Sequence, residues 1–314
     1  MTASYLTLHA SGELSRRGEA ALARLAACDL CPRECGIDRT AGELGFCRTG
    51  RLAQATSGDL HFGEEDPLVG ERGSGTIFFA QCNLDCVFCQ NWDISQGGPW
   101  PESSARDLAM AMVALQEKGA ANINFVTPSH VAAQILEALP LAVDMGLRLP
   151  LIWNCGGYES LSTLRLLDGV VDIYMPDAKF TDPEAARAYC RAPDYPERAR
   201  EAIREMHRQV GDLVMDASGL AVRGLLVRHL VMPGRLGDAL AWLRFLAEEV
   251  SPRTYVNVMP QYHPCGQAGH YPELASRPSS EEIEAARAEA LRLGLRLDQR
   301  RGLSPRLLRR LWGE

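Results

Sequence analysis

Three cysteines follow directly on one apolar run of the chain. The stretch GTIFFAQCNLDCVFCQNWDIS, residues 75–95, places Cys82, Cys86 and Cys89 after the strand-like residues 76–80. Structural zinc takes four protein ligands, whereas three thiolates on a [4Fe–4S] cluster leave one iron open to a ligand from outside the protein. The alternatives are therefore a zinc loop completed from elsewhere and a cluster with an open iron. The position at the carboxyl end of a strand, where barrel enzymes hold their chemistry, favours the cluster.

A second group of four cysteines lies within the first fifty residues, in the stretch CDLCPRECGIDRTAGELGFC. Its members are Cys28, Cys31, Cys35 and Cys47. Four thiolates in so short a segment are enough to enclose one tetrahedral zinc ion or a second [4Fe–4S] cluster, and the two alternatives are close to even. A purely structural staple for a region too small to bury its own core is the plainer alternative. The isolated Cys155, Cys190 and Cys265 are interpreted as small buried apolar residues.

The composition is that of an ordinary globular chain. Its 314 residues are 46% hydrophobic and 23% charged, with a formal charge of −7. This charge balance provides no electrostatic footprint for nucleic acid or an anionic membrane surface, so neither is expected as a partner. The first twenty residues lack the apolar segment of a signal peptide, and no apolar run approaches the length of a membrane span. We therefore expect a cytoplasmic protein, in which clustered cysteines bind metal rather than form disulfides.

The elements that must position these cysteines alternate between strand and helix. The six predicted strands are residues 76–80, 122–127, 149–154, 170–175, 224–231 and 254–259. Amphipathic stretches between them predict helices, one of which carries Leu108, Met112 and Leu115 on a single face. Gly211 is a predicted helix C-cap, and residues 279–282 form a predicted capping box.

This alternation predicts an α/β fold with a parallel sheet. Six strands are two fewer than a complete barrel has, so we predict a partial, open (β/α)₆ barrel of the TIM type, with a doubly wound open sheet as the alternative. The predicted regions are a small metal-binding N-terminal region with the four cysteines at 1–70, the barrel at 71–275 and a C-terminal helical extension at 276–314.

The Cys-x₃-Cys-x₂-Cys loop, with Phe88 before its last cysteine, resembles the cluster loop of the radical S-adenosylmethionine (SAM) superfamily. The resemblance implies that Cys82, Cys86 and Cys89 bind a [4Fe–4S] cluster whose open iron is chelated by SAM. It further implies an oxidoreductase that cleaves SAM reductively to a 5′-deoxyadenosyl radical, with an electron donor such as flavodoxin or ferredoxin. No catalytic residue is assigned beyond the cluster.

Three later stretches are similar to motifs of pyruvate formate-lyase activating enzymes: VDIYMPDAKF, LLVRHLVMPG and VNVMPQYHPCG. The residues that this similarity implies in SAM binding are Asp177, Lys179, Arg228 and His263. Arginine and lysine can pair with the SAM carboxylate, and aspartate can accept from its ammonium or ribose, although strand-end salt bridges are the alternative.

Two further family motifs are present in altered form. Asn154 opens the stretch that corresponds to a Thr-Asn-Gly motif, so it is placed with the cofactor-binding residues. Pro128-Ser129-His130 replaces a Gly-Gly-Glu motif. Thr127, Ser129 and His130 are candidates for the lost contacts, with a helix-start role for His130 as the alternative.

The pattern as a whole most resembles a branch of iron–sulfur proteins related to pyruvate formate-lyase activating enzyme. The first function that follows is hydrogen abstraction from a glycine of a protein substrate. The second is radical modification of a small molecule or another non-glycyl substrate, with the N-terminal cysteines holding an auxiliary cluster. The third is a non-catalytic iron–sulfur or zinc-binding scaffold. The motifs favour radical SAM chemistry over the scaffold.

Overall fold

Strands and helices alternate along residues 3–299, which are described by a computed structural model. The strands are β1 (Ala53–His61), β2 (Ser74–Phe79), β3 (Glu102–Ser103), β4 (Ile123–Val126), β5 (Leu151–Cys155), β6 (Ile173–Pro176), β7 (Val214–Met215), β8 (Ala221–Leu230), β9 (Tyr255–Met259) and β10 (Arg296–Leu297). The α-helices are α1 (Tyr5–Ala10), α2 (Glu13–Ala23), α3 (Asp66–Val69), α4 (Trp92–Ser95), α5 (Ala105–Glu117), α6 (Ala132–Asp144), α7 (Leu161–Leu167), α8 (Pro183–Cys190), α9 (Tyr195–Val210), α10 (Leu236–Phe245) and α11 (Ser280–Arg292).

The strands of residues 3–299 form one sheet in the order β10-β9-β8-β6-β5-β4-β2-β1-β3, with β7 paired to β8 outside this path. From β2 to β10 along this order every neighbouring pair is parallel. The six predicted strands correspond to β2, β4, β5, β6, β8 and β9. The prediction of an α/β fold with a mostly parallel sheet is therefore confirmed, and the closure of that sheet into a partial barrel stays a prediction.

Several local predictions from the sequence, of a helix face and of two helix ends, are also confirmed. Leu108, Met112 and Leu115 are buried on α5, and α9 ends at Gly211, whose φ is 72°. Ser279 caps α11 in a capping box with Glu282. All residues of β5 and β6 are buried, as expected for parallel strands that are covered on both faces.

Strand β1 is the main element that the sequence analysis did not predict. It runs antiparallel to β2, from the pair Ala55 and Phe79 to the pair His61 and Ser74. Its sequence, AQATSGDLH, is rich in polar residues and lacks the apolar run by which the other strands were recognised. Within residues 1–70, α2 also packs against α6, so this region is attached to the sheet and to its helical layer.

The C-terminal part of the chain is described as far as residue 299. It contains α11 and the short β10, which pairs with β9. The remainder of the predicted helical extension lies outside the described residues. In the described part of the chain, no helix combines the length and the hydropathy that crossing a membrane requires.

Candidate active site

A cavity of about 390 Å³ lies at the carboxyl ends of the parallel strands. Its lining includes the last residues of β2, β4, β5, β8 and β9 and the residue that follows β6. The carboxyl ends of parallel strands meet at one edge of a sheet, so side chains distant in sequence converge there. All three cysteines of the triplet line this cavity.

The loop that carries the triplet begins where β2 ends. Gln81 and Asp85 have φ values of 68° and 71°, a left-handed conformation that turns the chain sharply. Phe88 is buried against Phe180, with their ring centroids 5.7 Å apart. These turns and this packing hold the loop against the strand ends.

Two thiols of the triplet have an ordinary hydrogen-bond donor beside them. The Leu84 N–H donates to Cys82 Sγ at 3.4 Å, and the Ser95 hydroxyl donates to Cys89 Sγ at 3.3 Å. Burial raises the pKa of Cys82 to about 12 and also raises that of Cys89. These thiols are therefore neutral unless a metal centre stabilises the thiolates.

The third thiol has an unexpected neighbour. Cys86 Sγ lies 3.3 Å from the Sγ of Cys190, the last residue of α8. This contact and burial raise the pKa of Cys86 well above its usual range. Cys190 was interpreted as an isolated buried residue, and no sequence signal connects it with a loop that lies 104 positions away. The Cys86 thiol donates to Cys190 Sγ; as a metal-bound thiolate Cys86 would accept instead, and the Cys190 thiol would become the donor. Three thiols on one short loop fit the three protein ligands of an iron–sulfur cluster.

Four of the predicted cofactor-binding residues form one hydrogen-bonded group. The Asp177 carboxylate accepts from Lys179 Nζ at 2.8 Å and from Arg228 Nε at 2.9 Å. Arg228 Nη2 donates to Asn154 Oδ1 at 2.6 Å. Burial alone would raise the pKa of Asp177, but the two cations hold it below its usual value. Asp177 is therefore ionised in the folded protein.

The fifth predicted residue, His263, lies apart from this group. Its side chain is exposed, its nearest polar partner is the Gln261 carbonyl at 3.3 Å, and Gln261 rather than His263 lines the cavity. The role of His263 in SAM binding stays a prediction.

The residues that replace the Gly-Gly-Glu motif are divided between two roles. Thr127 lines the cavity and has a φ of 60°. The Ser129 hydroxyl instead donates to the buried Glu159. The His130 ring is within 2.9 Å of the Ala80 carbonyl, and burial lowers its pKa to about 4. Ser129 and His130 thus connect the ends of neighbouring strands through hydrogen bonds.

Two carboxylates that the sequence analysis did not single out also reach the cavity. Glu64 and Glu65 lie between β1 and α3. Glu64 accepts from Asn124 Nδ2 at 3.2 Å and is 3.3 Å from Arg228 Nη1, while Glu65 accepts from Asn257 Nδ2 at 2.7 Å. These contacts join residues up to 192 positions apart, and a separation of that kind leaves no local sequence pattern.

The four N-terminal cysteines line a second, smaller cavity. Cys28, Cys31 and Cys47 are buried and Cys35 is exposed. Arg39 is 1% exposed and its Nη1 lies 3.8 Å from Cys28 Sγ. From residue 3 to residue 299, no carboxylate lies within ion-pair distance of Arg39, and no three Cys, His, Asp or Glu side chains converge closely enough to hold a single metal ion. The thiolates of a [4Fe–4S] cluster bind separate irons and need no such convergence.

Arg33 connects the two cysteine groups. Its Nε donates to the Asn83 carbonyl at 2.8 Å, inside the triplet loop, and its Nη1 donates to the Arg191 carbonyl at 2.5 Å. The guanidinium also lies 3.6 Å from the centroid of the Phe46 ring, next to Cys47. The N-terminal loop and the triplet loop are therefore in direct contact.

Comparisons with known proteins give one family and several similar chains. The family model described as the radical SAM superfamily matches residues 76–219. An uncharacterized protein of Methanocaldococcus jannaschii is 33% identical over 267 residues, which cover 82% of this chain and 72% of that protein.

Two solved structures of SuiB from Streptococcus suis are also similar. The structure bound to S-adenosylmethionine has a TM-score of 0.47 at 10% identity and covers 69% of this chain. The structure bound to the precursor peptide SuiA has a TM-score of 0.46 at 10% identity and covers 70%. The match spans 47% of the SuiB chain in both.

Proposed function

The chain belongs to the radical SAM superfamily, and we propose that it is an enzyme that cleaves SAM reductively with a [4Fe–4S] cluster held by Cys82, Cys86 and Cys89. When bound, the cluster supplies the electron that releases a 5′-deoxyadenosyl radical from the sulfonium of SAM. The observation that carries the proposal is the cavity that the three thiols share with Asp177 and Lys179.

The polar group beside the triplet is suited to the other end of SAM. Lys179 and Arg228 present cationic donors to a carboxylate, and the ionised Asp177 presents acceptors to an ammonium or a ribose diol. Because the three are already paired with one another, they hold fixed orientations before a ligand arrives. In this proposal they orient SAM and take no part in proton transfer.

A partial barrel is the architecture that we propose for this site. Glu64 contacts Asn124 on β4 and Arg228 on β8, and these strands are separated by β5 and β6 in the sheet. Neighbouring strands are about 4.8 Å apart, so a flat sheet would place β4 and β8 at about 14 Å. One carboxylate that contacts both strands supports a curved sheet.

The test of the function is metal content together with SAM cleavage. Anaerobically purified protein should contain at least about four irons per chain and should form 5′-deoxyadenosine from SAM under dithionite. The Cys82/Cys86/Cys89→Ala variant should lose about four irons and all of the cleavage. A wild-type protein that holds a full cluster and cleaves no SAM would contradict the proposal and favour the scaffold.

We further propose that the N-terminal cysteines hold a second metal centre. A buried guanidinium without a carboxylate needs a compensating charge, and metal-bound thiolates beside Arg39 would supply it. In the triple alanine variant described above, the second centre should remain as about one zinc or about four irons. Replacing Cys28, Cys31 and Cys47 by serine should remove it. Metal-free protein after the first substitution would exclude the second centre.

Activation of a glycyl-radical protein partner, with flavodoxin or ferredoxin as the electron donor, is the finer form of this proposal. The motifs at Asp177 to Lys179 and at Arg228 support it. Incubation with such a partner should give the EPR doublet of a glycyl radical. SAM cleavage without this signal would instead favour a small-molecule or non-glycyl substrate.

A further inference from the structure

We propose that Glu64 and Glu65 form the floor of the candidate active site and bind a cationic nitrogen group, an ammonium or a guanidinium, of the substrate. The inference rests on the proposed function, since it assigns the substrate class of the same cavity. Neither glutamate belongs to the motifs on which the family resemblance was based, and both come from the segment between β1 and α3.

The segment contacts three strands of the sheet. Glu64 contacts β4 and β8 through Asn124 and Arg228, and Glu65 contacts β9 through Asn257. Both carboxylates line the same cavity as the cysteine triplet. A ligand on this floor would therefore share the cavity with a ligand of the cluster.

The floor has hydrogen-bonding capacity that the protein leaves unused. Glu65 lines the cavity and is 1% exposed, and its Oε2 has no hydrogen-bond partner. A buried polar atom without a partner costs free energy of about 1–3 kcal/mol, so such an atom indicates a missing ligand or water. Because a carboxylate oxygen is an acceptor, the ligand that satisfies it is a donor.

The ion pairs of the cavity show which of its carboxylates lacks a cationic partner. Asp177 is paired with Lys179 and Arg228, Glu64 shares Arg228, and Asp85 is paired with Arg191. Within the described ranges of the chain, Glu65 has no cation at ion-pair distance, and Asn257 is its hydrogen-bond partner.

The pKa of Glu64 is raised in this cavity, mainly by burial. The nearby Arg228 and His61 oppose that effect, and the charge of Glu65 adds to it. A cationic group that entered between the two carboxylates would balance the charge and donate to the unpartnered oxygen.

The experiment compares four small probes on the reconstituted, SAM-bound protein by anaerobic calorimetry. The cationic probes are n-butylammonium and n-butylguanidinium, and the matched probes are n-butanol and butyrate. We expect wild-type protein to bind at least one cationic probe tenfold or more tightly than either matched probe. A short blocked peptide with one lysine is tested beside butylammonium. Binding of the peptide would indicate a protein substrate, and binding of the free amine would indicate a small molecule. Either result supports the proposal.

The decisive variant is Glu65→Gln, which keeps an acceptor for Asn257 and replaces the unpartnered oxygen by an amide donor. It should weaken binding of the cationic probe at least tenfold. Glu71→Gln, which changes an exposed glutamate just after α3, is the matched control and should bind as wild type does. Iron content and circular dichroism establish that each variant is folded and loaded.

Two results would overturn the inference. The first is wild-type protein without a preference for the cationic probes, a result that does not depend on how any variant folds. The second is a loss of SAM affinity in Glu65→Gln that matches the loss of probe binding, because the floor would then serve the cofactor. Formation of 5′-deoxyadenosine by the same wild-type preparation tests the proposed function separately.

Discussion

Cys86 differs from the other thiols of its loop in its hydrogen-bond partner. Leu84 N–H and Ser95 O–H approach Cys82 and Cys89, whereas Cys86 has the thiol of Cys190 at 3.3 Å. Hydrogen bonds to ligand sulfur favour the more negatively charged, reduced state of an iron–sulfur cluster. A Cys86 thiolate bound to the proposed cluster would accept from the Cys190 thiol, so we infer that Cys190 would tune the cluster without binding it.

We predict that Cys190→Ala keeps about four irons at the triplet and lowers the reduction potential of that cluster. The shift should be roughly 50 mV or less, because a one-electron step of 59 mV corresponds to about 1.4 kcal/mol, close to the largest net value of a neutral hydrogen bond. An EPR-monitored redox titration measures it. Cys265→Ala, which removes another isolated cysteine, is the control. An unchanged potential in Cys190→Ala would contradict the assigned role.

Glu159 gives the free energy of unfolding a dependence on pH. Burial raises its pKa to about 7, from a usual value of 4.5. Between these values the folded protein keeps a proton that the unfolded chain releases, so the contribution of Glu159 is fully present below about pH 4.5 and is lost as pH rises through about 7. A difference of this size corresponds to about 3 kcal/mol at most.

His130, whose pKa burial lowers to about 4, makes the opposite contribution over much of the same range. We therefore expect the effect of Glu159 in the difference between two proteins: the free energy of unfolding of wild type minus that of Glu159→Gln should fall by up to about 3 kcal/mol between about pH 4.5 and pH 8. Urea denaturation at several pH values measures it. The exposed Glu117, changed to Gln, is the control. The same pH dependence in Glu159→Gln and in wild type would contradict the prediction.

The site residues that could be predicted from the sequence are those that lie close to one another along the chain. The triplet and the pair Asp177 and Lys179 each lie within a few positions of one another, so a local pattern reveals them. Cys190 and Glu65 reach the site from distant parts of the chain and have no such pattern. Burial and unpartnered atoms identify them, and both properties depend on the folded structure.

Among the secondary-structure elements, the junction between β5 and α7 is tightly constrained. Gly157 has a φ of 80°, and a Cβ there would overlap the Asp177 carbonyl oxygen at the end of β6. The neighbouring Gly156 faces Leu84 of the triplet loop at 2.7 Å from its own Cβ position. The absence of side chains at these glycines lets the cluster loop and two strand ends approach each other.

We predict that Gly157→Ala destabilises the protein by about 1–3 kcal/mol more than Gly219→Ala does, because overlap adds to backbone strain. Gly219 is the matched control, since its φ is 86° and no atom lies within 4 Å of its Cβ position. That control alone should cost about 1–2 kcal/mol. Thermal unfolding of the two variants gives the comparison, and equal costs would contradict the close approach.

The more fully a strand is buried, the more clearly its sequence predicts it. Runs of β-branched and apolar residues mark β5 and β6 because parallel strands are covered on both faces. Strand β1 is antiparallel, lies near the sheet edge and carries polar residues, so its sequence does not differ from that of a loop. Its role becomes visible only through its pairing with β2.

On the scale of the whole molecule, the N-terminal region contributes to the site from two directions. Arg33 fastens the four-cysteine loop to the triplet loop, and the segment after β1 brings Glu64 and Glu65 to the cavity. The sequence predicted a separate region at residues 1–70 from its turns and cysteines. That division stays a prediction, and its boundary falls between elements that pair in one sheet.

The long-range contacts of the cavity floor also determine when the floor can form during protein synthesis. Glu65 meets Asn257 across 192 residues, and Glu64 meets Arg228 across 164. At roughly 5–20 residues per second of protein synthesis, Asn257 leaves the ribosome about 10–40 s after Glu65. During that interval both glutamates are hydrated on a nascent chain. The triplet cysteines are translated soon after them, so the proposed ligands of the cluster are available before the cavity that would enclose it is complete.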